Sequence, residues 1–256
     1  MQHPNDAFVA IFDIETQEAI RSVPGATRDE KVTRLQVSCA SVLCLPSEFV
    51  LDPAQAERAI ELGTMQTFWR DGDTHRDMRA LVRLLDKAEM IVGFNLVGFD
   101  WIVMKKYYHN RPLYERHRAK THDVFSRVRD ATGVWYKLDR LLALNGLGMK
   151  TADGLEAIRM WEEGRRDELQ DYCESDVRQC ARLALRGTLD VDAADGMPLD
   201  NHNFGIAAAL TALRFAVALP LGEEAGGDDD GVRLVASVDG GEGEGVTAQC
   251  RPVSAC

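Results

Sequence analysis

The segment that most constrains this chain is FVAIFDIET, residues 8–16. A near-continuous apolar run from Phe8 to Ile14 suits a central strand buried on both faces. It ends in acids. Side chains at i and i+2 of a strand share a face, so Asp13 and Glu15 point the same way. Two like charges at the end of an apolar strand are costly unless a cation neutralises them. Taken alone, the pair also fits a strand that simply runs out into solvent.

The remaining pattern alternates strands and helices. Residues 35–45 form a second strand, rich in Val, Leu and Cys, and residues 49–51 a third. Residues 73–87 carry apolar side chains at helical spacing, with Thr74 as N-cap. A short buried strand follows at 90–94, and the chain turns helical from Gly98 to Tyr108. Residues 123–128 fit either a strand or a helix start. Three helices are predicted at 138–144, 156–161 and 165–185, the first stopped by Asn145-Gly146 and the last two separated by Gly164. This order predicts an α/β fold with a mixed sheet flanked by helices.

Two more acids join the first pair. In IVGFNLVGFD a short strand ends at Asn95, and Asp100 opens a helix, the place where open α/β sheets put ligands. Asp100 also fits the role of a first-turn acid complementing the helix dipole. In DYCESDV, Tyr172 and Asp176 lie four apart on one helical face that Cys180, Leu183 and Ala184 continue, so Asp176 faces inward. An inward acid with no cation at i±4 needs a partner, and a metal would serve. Asp13, Glu15, Asp100 and Asp176 together supply the hard oxygen ligands that Mg2+ or Mn2+ prefers. Two such ions can activate a water and stabilise the leaving oxygen of a phosphodiester. Tyr172, a poor base at neutral pH, is better suited to positioning the attacking water.

A net charge of −11 is at first sight unfavourable for a nucleic-acid partner. Residues 221–256 carry eight acids against Arg233 and Arg251, so the charge lies largely in this acidic, Gly-rich tail, which reads as disordered. The expected division is a catalytic domain over 1–220 and the tail over 221–256. Between Val103 and Lys120, Lys105, Lys106, Arg111, Arg116, Arg118 and Lys120 face only Glu115. This run is either a solvated face or a phosphate-steering patch. The six cysteines form no CxxC pair, which points to reduced thiols and a cytoplasmic protein. The N-terminus lacks a secretory signal pattern. The apolar stretch 206–221 is short and broken by Arg214 and Pro220, so it reads as a buried helix rather than a membrane span.

FDIET, NLVGFD and YCESD, in this order, resemble the three exonuclease motifs of the DEDD superfamily, which has a ribonuclease H-like fold. The resemblance covers roughly residues 7–187. Asp13 and Glu15 match the first motif, Asn95, Phe99 and Asp100 the second, and Tyr172 and Asp176 the third in its tyrosine form. The histidine form would need His at 171, where this chain has Asp171. The stretch from Lys137 to Asp176 is similar to free-standing exonucleases related to the proofreading domain of family B DNA polymerases. What the resemblance implies is 3′-to-5′ exonuclease activity with two metal ions. It also implies a terminal nucleotide lined by Asn95, Phe99 and the backbone around Ile14 and Thr16. The expected partner is nucleic acid with a free 3′ end, single-stranded DNA favoured. A polymerase or helicase acting in trans is an open candidate for delivering it.

Other motifs weigh less. Gly146-Leu147-Gly148 lacks the remainder of a P-loop. Trp69, Trp101, Trp135 and Trp161 could stack bases, but core or rim packing is the commoner use. Lys137 and Lys150 flank the helix before the third motif and are candidate phosphate contacts. The rival functions are a catalytically inactive domain of the same fold that binds nucleic acid or a protein partner, and an endonuclease built on the same acids. DNA and RNA are not distinguished, nor is the biological pathway.

Overall fold

The computed structural model describes residues 7–70, 75–148, 154–192, 198–202 and 205–218. The expected boundary at 220, the acidic tail, Lys150 and the Thr74 cap lie outside these residues. In chain order the elements are β1 (Phe8–Thr16), α1 (Arg28–Arg34), β2 (Val37–Pro46), α2 (Ser47–Val50), α3 (Ala56–Leu62) and β3 (Thr64–Trp69). Then come α4 (Arg76–Lys87), β4 (Met90–Gly93), α5 (Asp100–Met104), α6 (Arg111–Ala119), β5 (Thr121–Asp123), α7 (Val124–Thr132) and α8 (Leu138–Leu144). The last are α9 (Gly154–Glu162), α10 (Arg166–Ala184), β6 (Leu189–Asp192), β7 (Pro198–His202) and α11 (Ile206–Ala218).

Five strands form one mixed sheet in the order β3-β2-β1-β4-β5. β1 pairs antiparallel with β2 and parallel with β4, which in turn pairs parallel with β5. This is the mixed-sheet α/β architecture that the ribonuclease H-like resemblance implies. Strand alternation sorts the core into two layers. Val9 and Ile11 of β1 pack with Leu141, Val177 and Ala181 of α8 and α10 on one face. Ala10, Phe12 and Ile14 pack with Val32, Leu81 and Trp101 of α1, α4 and α5 on the other. Burial on both faces explains why β1 reads as apolar without alternation.

The third strand is not where it was expected. Residues 49–51 lie in and after a short helix, α2, which begins directly after Pro46 closes β2. The third strand is β3, TMQTFW, an edge strand with no fully buried residue and therefore little hydrophobic signal. Residues 123–128 resolve into both readings: β5 ends at Asp123, which caps α7 by accepting from the Ser126 amide. The helix expected to run to Tyr108 stops at Met104 and closes with a 3-10 turn at Lys105–Tyr107. α1, α3, α6 and the β6–β7 hairpin were not anticipated. α11 does pack on the domain, with Ile206 and Leu210 fully buried. Among the described residues, no helix is long and apolar enough to cross a membrane. Cys39, Cys44, Cys173 and Cys180 are buried free thiols.

One buried polar cluster has a pH consequence. His117 of α6 is fully buried; Tyr108 Oη lies 2.7 Å from its Nδ1, and its Nε2 is 3.2 Å from Asp86 Oδ1. Burial pulls the imidazole down to about 4, against the raising pull of the Asp86 hydrogen bond. At neutral pH the ring is therefore uncharged: Nε2–H donates to Asp86, and the tyrosine hydroxyl donates to Nδ1. The folded-state value lies below the unfolded one, so the unfolded chain binds this proton first as pH falls. The contribution is complete above about 6.5 and is lost progressively toward about 4. Urea denaturation across that window should show a slope that is shallower by about one proton in His117→Gln. An unchanged slope would mean that the ring is already charged in the native protein.

Candidate metal centre

The site sits where β1 outruns its neighbour. β4 pairs with β1 only from Val9 to Ile11, so among the described residues the end of β1 has no strand on that side. On the other side, Ile14 pairs with Ala40 but Thr16 pairs with Val37, so Ser38 and Cys39 together oppose Glu15. Such an irregularity raises local twist and re-aims side chains.

Asp13 and Glu15 belong to the same sheet face as Val9 and Ile11, the face covered by α10. Cys173 of α10 confirms the proximity, its Sγ lying 3.8 Å from the Asp13 carbonyl oxygen. Asp176 comes down one turn further along that helix and is 3% exposed. Carboxylate oxygens of Asp13, Glu15 and Asp176 all lie within 4.8 Å of one another. Two unit charges at this separation repel by roughly 3 kcal/mol at the effective dielectric of a protein surface. An all-oxygen donor set of this density fits a hard divalent cation.

Asp100 is not part of that triad. It opens α5 at the edge of β1 that β4 leaves open, 2% exposed, lines the same cavity as the triad, and its Oδ1 accepts from the Ile14 amide at 3.2 Å. Its carboxylate thus takes the place of the missing strand partner. Burial, and then the negative charge of Asp13, hold its carboxyl well above the usual carboxylate range. A cation beside it would remove that penalty.

The loop between β4 and α5 brings the other expected residues to the site. Asn95 stands in the left-handed region at φ 64°, which Asn tolerates better than most residues. A Cβ at Gly98 would overlap Asn95 Oδ1, so any larger residue there would displace the Asn95 side chain. Ile14, Thr16, Asn95, Phe99, Asp100, Tyr172 and Asp176 all line one cavity of about 510 Å3. Tyr172 is buried in a small cluster with Cys39, Met160 and Leu169, and reaches that cavity from the α10 side.

A second cavity of about 880 Å3 meets the first along Asp13, Phe94, Asn95, Gly154 and Asp176. Its cationic lining residues are Arg28, Arg129 and Lys137, with Arg21 beside the smaller cavity. None of the six basic residues of the 103–120 run lines either cavity. Arg116 pairs with Asp86, Lys120 donates to the Asp86 and Ala88 carbonyls, and Lys106 donates to the Leu35 carbonyl. Arg111 and Arg118 both face Glu115. Five of the six are thus engaged in ion pairs or hydrogen bonds away from the two cavities.

One contributor escaped the sequence reading. Asp123 is 4% exposed, and its carboxylate accepts from the Asn95 and Val97 amides at 2.8 and 2.9 Å and from Ser126 Oγ at 3.1 Å. It pins the loop that carries Asn95 while capping α7. The available signal was an Asp at a strand end with Ser three residues on, a helix N-cap pattern.

No protein-family model and no curated protein sequence matches the chain. Among solved structures, it is similar to apo exonuclease I at 15% identity and a TM-score of 0.35, covering 66% of this chain and 44% of that one. Exonuclease I in complex with the inhibitor BCBP gives 15% identity and 0.37 over 66% of this chain and 43% of that one. A further exonuclease I structure gives 14% and 0.33 over 65% and 43%. The chain spans less than half the length of these proteins. Similarity at this level leaves the chemistry to be read from the side chains.

Proposed function

We propose that the protein is a metal-dependent 3′-to-5′ exonuclease of the DEDD type, in its tyrosine form, with single-stranded DNA as the favoured substrate. The convergence of Asp13, Glu15 and Asp176 within 4.8 Å at the floor of two adjoining cavities carries this reading. These three, with Asp100, would hold two Mg2+ or Mn2+ ions. Bound there, divalent ions lower the pKa of a water and stabilise charge on the phosphodiester oxygens.

The protein's own part is positional. Asp13 presents its carboxylate from a strand paired with β2 at that point and with β4 just before it, and Asp176 from the middle of the longest described helix. Neither needs to reorganise to receive charge. Tyr172, one turn before Asp176, has a hydroxyl that orients the attacking water by hydrogen bonding, since an ordinary phenol keeps its proton at neutral pH. Asn95, Phe99 and the backbone at Ile14 and Thr16 receive the terminal nucleotide in the smaller cavity.

The test is digestion of end-labelled DNA and RNA oligonucleotides with Mg2+ or Mn2+, resolved by length, beside a circular single strand. Release of mononucleotides from a free 3′ end is expected, with the circle and a 3′-phosphorylated strand resistant. Cleavage of the circle as fast as the linear strand would instead indicate an endonuclease. Thermal stabilisation by metal without hydrolysis of any substrate would indicate a binding domain.

A further inference from the structure

Resting on the proposed function, we infer that the larger cavity is a stacking subsite in which Trp135 receives the unpaired base next to the 3′-terminal nucleotide. Trp135 is 74% exposed, an unusual state for the largest side chain. Among the described residues the exposed large hydrophobics are Leu51, Leu62, Val97, Trp135 and Leu155. Val97 and Trp135 line the larger cavity and Leu155 the smaller one, so exposed apolar surface gathers around the carboxylates.

The indole is also held in place. Phe125 meets it edge-on, with ring centroids 5.5 Å apart and planes at 68°. The Arg129 guanidinium carbon lies 5.6 Å from its centroid and 5.8 Å from that of Phe125. Arg129 also pairs with Asp130 at 2.6 Å. A rigid aromatic face beside Arg28 and Lys137 suits a ligand with flat apolar groups on an anionic backbone.

The adjoining cavities name the position of that base. A phosphodiester carries one nucleoside on each side. With the bond at Asp13 and Asp176, where the cavities meet, one nucleoside falls in each. The terminal one occupies the smaller cavity, so its neighbour meets Trp135. A base inside a duplex is already paired and stacked. The platform therefore selects strands that are unpaired over at least the last two nucleotides.

The experiment is fluorescence anisotropy with 5′-labelled oligothymidylate and calcium in place of magnesium, on the full chain and Trp135→Ala. Trp135→Ala should bind about 10-fold more weakly, the size of a lost base–aromatic contact, with the melting temperature unchanged because the side chain lies outside the core. An abasic residue at the second position from the 3′ end should cost the wild type a similar factor and cost Trp135→Ala nothing more. An abasic residue five positions in should not distinguish the two proteins, and Trp135→Phe should recover most of the affinity. Equal abasic penalties in wild type and Trp135→Ala would overturn the subsite, whether or not the protein hydrolyses DNA. The expected coupling without hydrolysis of any substrate would keep the subsite and remove the exonuclease assignment.

Discussion

Asp176→Asn is expected to abolish hydrolysis while leaving the fold intact. The substitution keeps the size and hydrogen-bonding reach of the side chain but removes one of the three charges that meet within 4.8 Å. Loss of a ligand should forfeit several kcal/mol of charge stabilisation on the reacting phosphodiester. At about 1.4 kcal/mol per factor of ten, the rate should fall by at least about a thousandfold. Asp13→Asn should do the same from the strand side. The two are expected to be non-additive, because a metal lost through one ligand cannot be lost again through the other. Single-turnover digestion with saturating Mg2+ measures the effect directly, and circular dichroism checks the fold. Near-full activity in either variant would sink the metal-centre reading.

Asp100→Asn should separate stability from activity. Asp100 is buried, faces the charge of Asp13, and is held well above the usual carboxylate range, burial being the larger cause. With the folded value raised, its contribution to stability is complete below the unfolded value of about 3.9 and is lost as pH rises toward the folded one. At pH 7 the metal-free protein therefore carries an ionisation penalty that asparagine lacks. Asparagine still offers Oδ1 to the Ile14 amide, now 3.2 Å from the carboxylate. The metal-free variant should melt about 2–4 °C above the wild type at pH 7, the shift expected of roughly 1 kcal/mol in a chain of this size. At pH 4 the difference should disappear. The stabilisation conferred by Mg2+ should shrink and hydrolysis should fall by orders of magnitude. A melting temperature several degrees lower in the metal-free variant would show that the carboxylate serves chiefly as a structural acceptor.

Both predictions concern residues that were visible in the chain itself. Asp13 and Glu15 were legible because strand periodicity alone puts them on one face, and Asp176 because helical periodicity aligns it with Tyr172. Asp100, by itself, also fitted a first-turn helix acid and became legible only when its motif was read with the other two. Its placement at the open edge of β1, beside the triad, depends on β4 ending early, which no local pattern announces. The basic run stayed open between a solvated face and a phosphate-steering patch for a related reason. Local charge counts do not reveal that Asp86 sits on α4, where it takes up Arg116 and His117 from α6. α1 was readable in principle, since Thr27 and Glu30 form a reciprocal capping box, but its single buried residue, Val32, left little periodicity to notice. β3 was hidden by its position at the sheet edge, where half-burial dilutes the alternation that marks a strand.

Local sequence thus determined the apolar central strand, the acids at its end and the inward face of the long helix, because periodicities of 2 and 3.6 residues act over a few neighbours. Tertiary structure decided which acids meet. β1 overruns β4, α10 crosses over β1 and β2, and Asp123 pins the loop of Asn95, so three carboxylates converge while Asp100 is held beside them at the open edge of the strand. Those distances arise from pairing and packing between segments far apart in the chain, which no local periodicity encodes.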